Sequence, residues 1–146
     1  MSTLESIYCY MYQYEADSRQ GYDPRKMGTI LTAVVLLMWV AAAFFILLPF
    51  GLGDALIDVL QDIFGYSSGK TIGRVGAAAI FFLIYPFVLL TLGSKKRYDK
   101  TIERYLSIEE GEPRSLQAAK GLSTVIISSV VFVVAIVIGS IAATFL

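Results

Sequence analysis

The sequence predicts an all-α integral membrane protein with three transmembrane helices and a short amphipathic interfacial helix between the first and second. Three observations predict it. Of 146 residues, 56% are hydrophobic and 16% charged, against roughly 25% charged in soluble domains, and mean hydropathy is +0.67. Three apolar stretches reach the ~20 residues that a bilayer crossing needs. Between the first two lies "GLGDALIDVLQDIFGY", in which Asp54, Asp58 and Asp62 recur every four residues.

Residues 1–27 form an N-terminal segment. Ser2 and Glu5 fit the S-x-x-E capping box, and Leu4, Ile7, Tyr8 and Met11 follow helical spacing, which favours a helix over the strand that the alternation of Tyr8, Tyr10, Tyr12 and Tyr14 would also allow. The tyrosines are expected at headgroup level, where amphipathic rings are at home. Tyr22-Asp23-Pro24 breaks this helix before the first span. Cys9 is the one cysteine, which excludes an internal disulfide, a thiolate zinc cage and a CxxC redox pair. It reads as a small apolar residue in a reducing compartment.

The first span, residues 28–50, carries no charge. It follows a mostly polar segment, exceeds the ~7–15 residues of a signal-peptide core, and stays apolar beyond Ala41–Ala43, so it is expected to be a permanent span. Residues 51–70 form the link to the second span. Four residues turn a helix by about 400°, so the aspartates drift only about 40° per step and form one narrow stripe. Leu52, Leu56, Val59, Leu60, Ile63 and Phe64 take the other side. The expected element is an amphipathic helix lying in the outer interface, with the aspartates on its wet face. Calcium needs about six or more oxygens, and one straight helix can aim about two of these carboxylates at a common ion, so no metal site is assigned. Lying at water level, the carboxylates offer no proton path across the membrane. "SSGKT", residues 67–71, falls short of a phosphate-binding P-loop, whose first glycine would stand where the chain has Phe64, and no strand precedes it.

The second span, residues 71–93, contains one charge, Arg74, close enough to its end to snorkel. Pro86 removes a backbone donor and is expected to bend this helix near the Phe82 carbonyl. In the following link, residues 94–120, Tyr98, Ile102, Tyr105 and Leu106 share a helical face flanked by Lys100 and Arg104. This reads as a short amphipathic extension of the second span. "EEGEP", residues 109–113, interrupts it, and Pro113 suits the first turn of a helix running into the third span. That span, residues 121–146, is uncharged. Its hydroxyls on Ser123, Thr124, Ser128, Ser129 and Ser140 can bond to the preceding turn.

Lysine and arginine set the orientation. Arg19, Arg25 and Lys26 precede the first span, and seven cations from Lys95 to Lys120 lie between the second and third, whereas the first link offers only Lys70 and the nearby Arg74. The positive-inside rule then predicts a cytoplasmic N-terminus and an external C-terminus. Length, span number and charge pattern resemble those of many small bacterial inner-membrane proteins, which makes that membrane the expected location.

The expected function follows from what the spans carry and lack. Twelve cations balance twelve acids and there is no histidine, so no global basic field draws nucleic acid. Within the spans only the peripheral Arg74 is ionisable, which disfavours coupled ion transport, haem ligation and intramembrane proteolysis. No cofactor is expected. Two stripes of small residues recur at a spacing of four, Gly69, Gly73 and Ala77 and then Ala135, Gly139 and Ala143. Such stripes let helix backbones approach closely in lipid, and the partner helix could belong to this chain or to another. The reading is a small non-enzymatic integral subunit that packs against other membrane subunits or copies of itself. The alternative is a homo-oligomeric channel or small transporter whose pore is lined by the serine-bearing face of the third span.

Overall fold

The first helix, α1 (Thr3–Ser18), starts at a complete capping box. The Glu5 amide donates to Ser2 Oγ at 3.2 Å, and the Ser2 amide donates back to Glu5 Oε2 at 2.8 Å, so two of the orphaned donors of a helix start are satisfied reciprocally. The helix ends at Arg19, whose left-handed backbone (φ 51°) turns the chain. Glu15 then holds that turn by accepting the Gly21 and Tyr22 amides at 2.8 and 3.2 Å. Pro24 opens the next helix at the position where its missing donor costs nothing, while Asp23 accepts the Arg25 amide at 3.0 Å.

The computed structural model describes residues 2–64 and 69–145, and the side chains of residues 64, 69–73, 75 and 143 are among those that fall outside it. Among the described residues every regular element is a helix and there is no strand. After α1 come α2 (Pro24–Leu47), a short 3₁₀ turn (Leu48–Phe50), α3 (Leu52–Phe64), α4 (Gly69–Thr91), α5 (Lys95–Ser107) and α6 (Glu112–Phe145). Two helices are long and apolar enough to cross a membrane, Pro24–Leu47 and Glu112–Ala142, and a third crossing is reached if the bent pair Gly76–Thr91 and Lys95–Ser107 counts as one. That pair changes direction by 64° at the residues between them. Pro86 lies inside α4, which continues past it to Thr91, and the 64° turn between the two helices comes at Leu92–Ser94.

α2 stands between α4 and α6 and packs against both. It runs parallel to α6: Trp39 Nε1 donates to Ser128 Oγ at 3.0 Å, and further along both helices Phe45 and Phe132 meet edge to face with centroids 6.3 Å apart. It runs antiparallel to α4, because Gly93, just beyond the end of α4, lies against Thr29 near the start of α2. The long helices therefore run up, down and up.

α1 crosses the end of this row where α2 and α6 begin and α4 finishes. Ile7, Tyr8 and Cys9 are at most 1% exposed, so the centre of this helix is the most enclosed part of the chain. The tyrosines expected at headgroup level separate accordingly: Tyr8 is buried, Tyr10 and Tyr12 are partly buried, and Tyr14 is exposed. α6 begins at Glu112, well before the apolar run at Gly121, because its first turns are a second wall for α1. Gly121 marks the closest approach, since a methyl group there would collide with the Ser6 carbonyl and lie 2.8 Å from Tyr10 Cβ. Replacing Gly121 by alanine is therefore expected to lower stability by about 1–3 kcal/mol through overpacking. Gly76→Ala, which would meet nothing within 4 Å, should leave thermal unfolding in detergent unchanged or slightly raised.

Candidate functional site

Polar contacts converge on α1 from every neighbouring element. The Tyr8 ring lies against Gly28, where a Cβ would fall 2.9 Å from Cε1. Its hydroxyl lies 3.1 Å from Thr29 Oγ1. Thr29 already donates its one proton to the Arg25 carbonyl at 2.8 Å, so Tyr8 is the donor in this pair. The buried Thr32 follows one turn later, and Tyr98 of α5 meets the Tyr8 ring edge-on at 6.0 Å. On the α6 side, Gln117 Nε2 donates to Ser6 Oγ at 2.8 Å. On the α5 side, the Tyr105 hydroxyl donates to Gln13 Oε1 at 2.9 Å, and Arg97 reaches Glu5 Oε1 at 3.4 Å.

Glu5 thus serves two structures with one carboxylate, Oε2 closing the capping box and Oε1 facing Arg97. Burial raises its pKa, but the Ser2 amide and Arg97 outweigh that and hold the carboxyl below its ordinary value of 4.5. Cys9 packs with Tyr105 and Ala118, with Tyr12 and Ile108 around them. Burial, reinforced by the nearby Glu5 charge, pushes its thiol up to about 12, so it is a protonated core side chain with no nucleophilic character at neutral pH. Arg114 closes the far side, donating to the Leu106 and Ile108 carbonyls at 2.8 and 2.9 Å while its guanidinium lies 5.8 Å from the Tyr105 ring centre. It satisfies the open carbonyls at the end of α5 and ties them to the first turn of α6.

Two clefts flank α1. The larger, about 720 Å³, runs between α1 and the start of α6 and is lined by Tyr10, Gln13, Tyr14, Asp17, Glu110 and Arg114 among others. The smaller, about 410 Å³, lies between α5 and α1 and is lined by Glu5, Ser94, Lys96, Arg97, Lys100, Thr101 and Arg104. It is cationic, with four basic side chains facing one carboxylate.

The residues singled out from the sequence lie elsewhere. Asp54, Asp58 and Asp62 fall on α3, a helix where one was expected, and all three are exposed. Val59 and Ile63 on that helix are exposed as well, 53% and 67%, while the side chains of Leu52, Leu56, Leu60 and Phe64 lie outside the described residues. Among the described residues no three acids, cysteines or histidines gather as a metal-binding group. Of the "SSGKT" stretch, Ser67 and Ser68 lie outside the described residues, and Gly69 opens α4.

Of the small-residue stripes, Ala135 and Gly139 are buried on one face of α6. A side-chain carbon at Gly139 would collide with the Phe45 carbonyl of α2, so this stripe meets a helix of the same chain. Ala77 is exposed, and the surroundings of Gly69, Gly73 and Ala143 lie outside the described residues. Ser128 and Ser129 donate to the Thr124 and Val125 carbonyls at 2.7 and 2.9 Å, the back-bonding expected of helix hydroxyls.

Sequence reasoning missed the junction at α1. A usable signal was present: Gly28, Gly93 and Gly121 bound the three apolar runs at one and the same end, which marks a common close approach there. No family model matches the chain, and no curated protein or solved structure matches it either.

Two outcomes follow from this geometry. The wild type should be more stable than Glu5→Gln by less than about 1 kcal/mol, because Arg97 is half exposed. A depressed pKa stabilises above the ordinary value, so this difference should be complete above pH 4.5 and should close as pH falls below it, read from paired thermal unfolding curves. Cys9 should resist maleimide in the folded protein at pH 7 and react once the chain is unfolded, as followed by mass spectrometry.

Proposed function

We propose that the chain is a small non-enzymatic integral membrane subunit with three spans, whose role is to pack against other membrane helices in a larger complex. The observation that carries this reading is the open row formed by α4, α2 and α6. α4 packs on α2 and turns Phe82, Leu83, Phe87 and Leu90 outward at 65–77% exposure. Those four recur with helical spacing and form one continuous apolar face beside Pro86, wide enough to receive another helix. α6 likewise presents Ile126, Ile127, Val130, Val133, Val134 and Val137.

The up-down-up course supports the three-span reading, because the α1 end then carries the N-terminal segment and the α5 link together. Those are the segments that hold ten of the twelve cations. The positive-inside rule assigns that end to the cytoplasm and the α3 end and C-terminus to the outside, in a bacterial inner membrane. A channel lined by α6 has less to recommend it, since Ser128 is buried and bonded to Trp39.

Native mass spectrometry of the protein extracted from its own membrane should find stable co-purifying foreign subunits. A ring of identical chains would instead support the channel. A reporter fused after Leu146 should be active outside the cytoplasm, and a cysteine placed at exposed Lys100 should be labelled only from inside. The opposite labelling would overturn the three-span reading or its orientation.

A further inference from the structure

The start of α5 breaks the electrostatic rule for helices. Its first turn carries Lys95, Lys96 and Arg97 and no acid, and Ser94 makes no capping hydrogen bond, giving its hydroxyl instead to the Thr91 carbonyl at 3.5 Å. Cations at a helix N-terminus oppose the macrodipole, so the folded chain alone gains nothing from this arrangement. An anion held there would offset both the dipole and the crowded charge.

The groove beside it has the matching chemistry. Lys96, Lys100 and Arg104 recur every four residues along one face of α5, with Arg97 next to them, and all four are exposed. Glu5 partners Arg97, and among the described residues Lys96, Lys100 and Arg104 have no acidic partner within 4 Å. Thr101 is buried at the floor of the groove, and Ile102 and Tyr105 on the other side of α5 are buried against the rest of the fold, so the helix cannot roll its cations away. The 64° turn at Leu92–Ser94 swings α5 away from the direction of α4, directly at the end of an apolar helix.

We infer that the groove between α5 and α1, lined by Lys96, Arg97, Lys100 and Arg104, holds the phosphate of an anionic phospholipid headgroup. This rests on the reading of α4 as a span, which sets the groove at headgroup level. Basic clefts at the cytoplasmic ends of membrane helices suit such headgroups. The acyl chains of the lipid would lie along α4, whose last turns, just before the groove residue Ser94 in the chain, expose Phe87 and Leu90, and an apolar surface on the element that leads into the groove favours a lipid over a free anion.

The test uses the full chain in zwitterionic detergent. Its thermal unfolding is followed on addition of phosphatidylglycerol, phosphatidylcholine or inorganic phosphate at constant ionic strength. Phosphatidylglycerol should raise the midpoint, and the other two should not. The variant Lys96→Gln/Lys100→Gln/Arg104→Gln should fold, because all three side chains are exposed, and should bind phosphatidylglycerol roughly a hundredfold more weakly, or about fivefold for each cation removed. The charge-conserving Lys96→Arg/Lys100→Arg/Arg104→Lys should keep the response. Equal stabilisation by phosphatidylcholine, an equal effect of inorganic phosphate, or an undiminished response in the glutamine variant would each overturn the inference. Failure of the span reading itself would show separately, as wrong-sided labelling at Lys100.

Discussion

The contact of Tyr8 with Gly28 and Thr29 is the constraint on which the rest of the fold depends. A phenol ring is a large apolar body with one polar atom, and burying it is favourable only if that atom finds a partner. Thr29 is a suitable acceptor because its own proton is committed to the preceding turn, and Gly28 provides the room for the ring. The same hydroxyl lies close to Gly93. One side chain therefore sets the distance between α1, the start of α2 and the end of α4. With that distance set, Gly121 can come against the α1 backbone, and the polar pairs to Gln117, Tyr105 and Arg97 follow.

This arrangement divides the molecule into a tied end and an open end. At α1, side-chain hydrogen bonds and an ion pair link four helices. Along the apolar lengths of α2 and α6 the contact relies on shape, with Gly139 under Phe45, ring contacts, and the Trp39–Ser128 bond. Lipid gives apolar helices no hydrophobic drive toward one another, so under the proposed three-span reading the row gains its order from the polar contacts at the α1 end. The helices can then keep broad apolar faces without losing a defined geometry.

Much of the helical layout was legible because it follows from length and periodicity. The apolar runs, the capping box at Ser2, the break at Asp23-Pro24 and the aspartate-bearing helix between the first two runs were all readable from local patterns. The docking of α1 was not. Its tyrosines look alike in sequence, and only the positions of Gly28, Thr29 and Gly93 decide that Tyr8 is enclosed while Tyr14 stays in contact with solvent. The turn at Leu92–Ser94 was also hidden, since Pro86 is the stronger local signal and the actual break comes where α5 can bury Tyr105 beside Cys9. Helix periodicity identified the face of α5 carrying Tyr98, Ile102, Tyr105 and Leu106, of which Leu106 stays exposed, but could not say what covers the others. That Gly139 of α6 lies against Phe45 of α2 was not legible, because spacing carries no information about which helix comes near.

The order in which the chain is made gives the α1 contacts different histories. Tyr8 and Thr29 are 21 residues apart, whereas Ser6 and Gln117 are separated by 111. A growing chain can therefore seat Tyr8 against the start of α2 early, yet more than a hundred residues must follow Ser6 before α6 arrives to cover Ser6 and Tyr10. Until then α1 is a half-covered helix with one wall missing, a long-range closure of the kind that slows folding and leaves apolar surface open to other chains. The arrival of α6 is the event that completes α1.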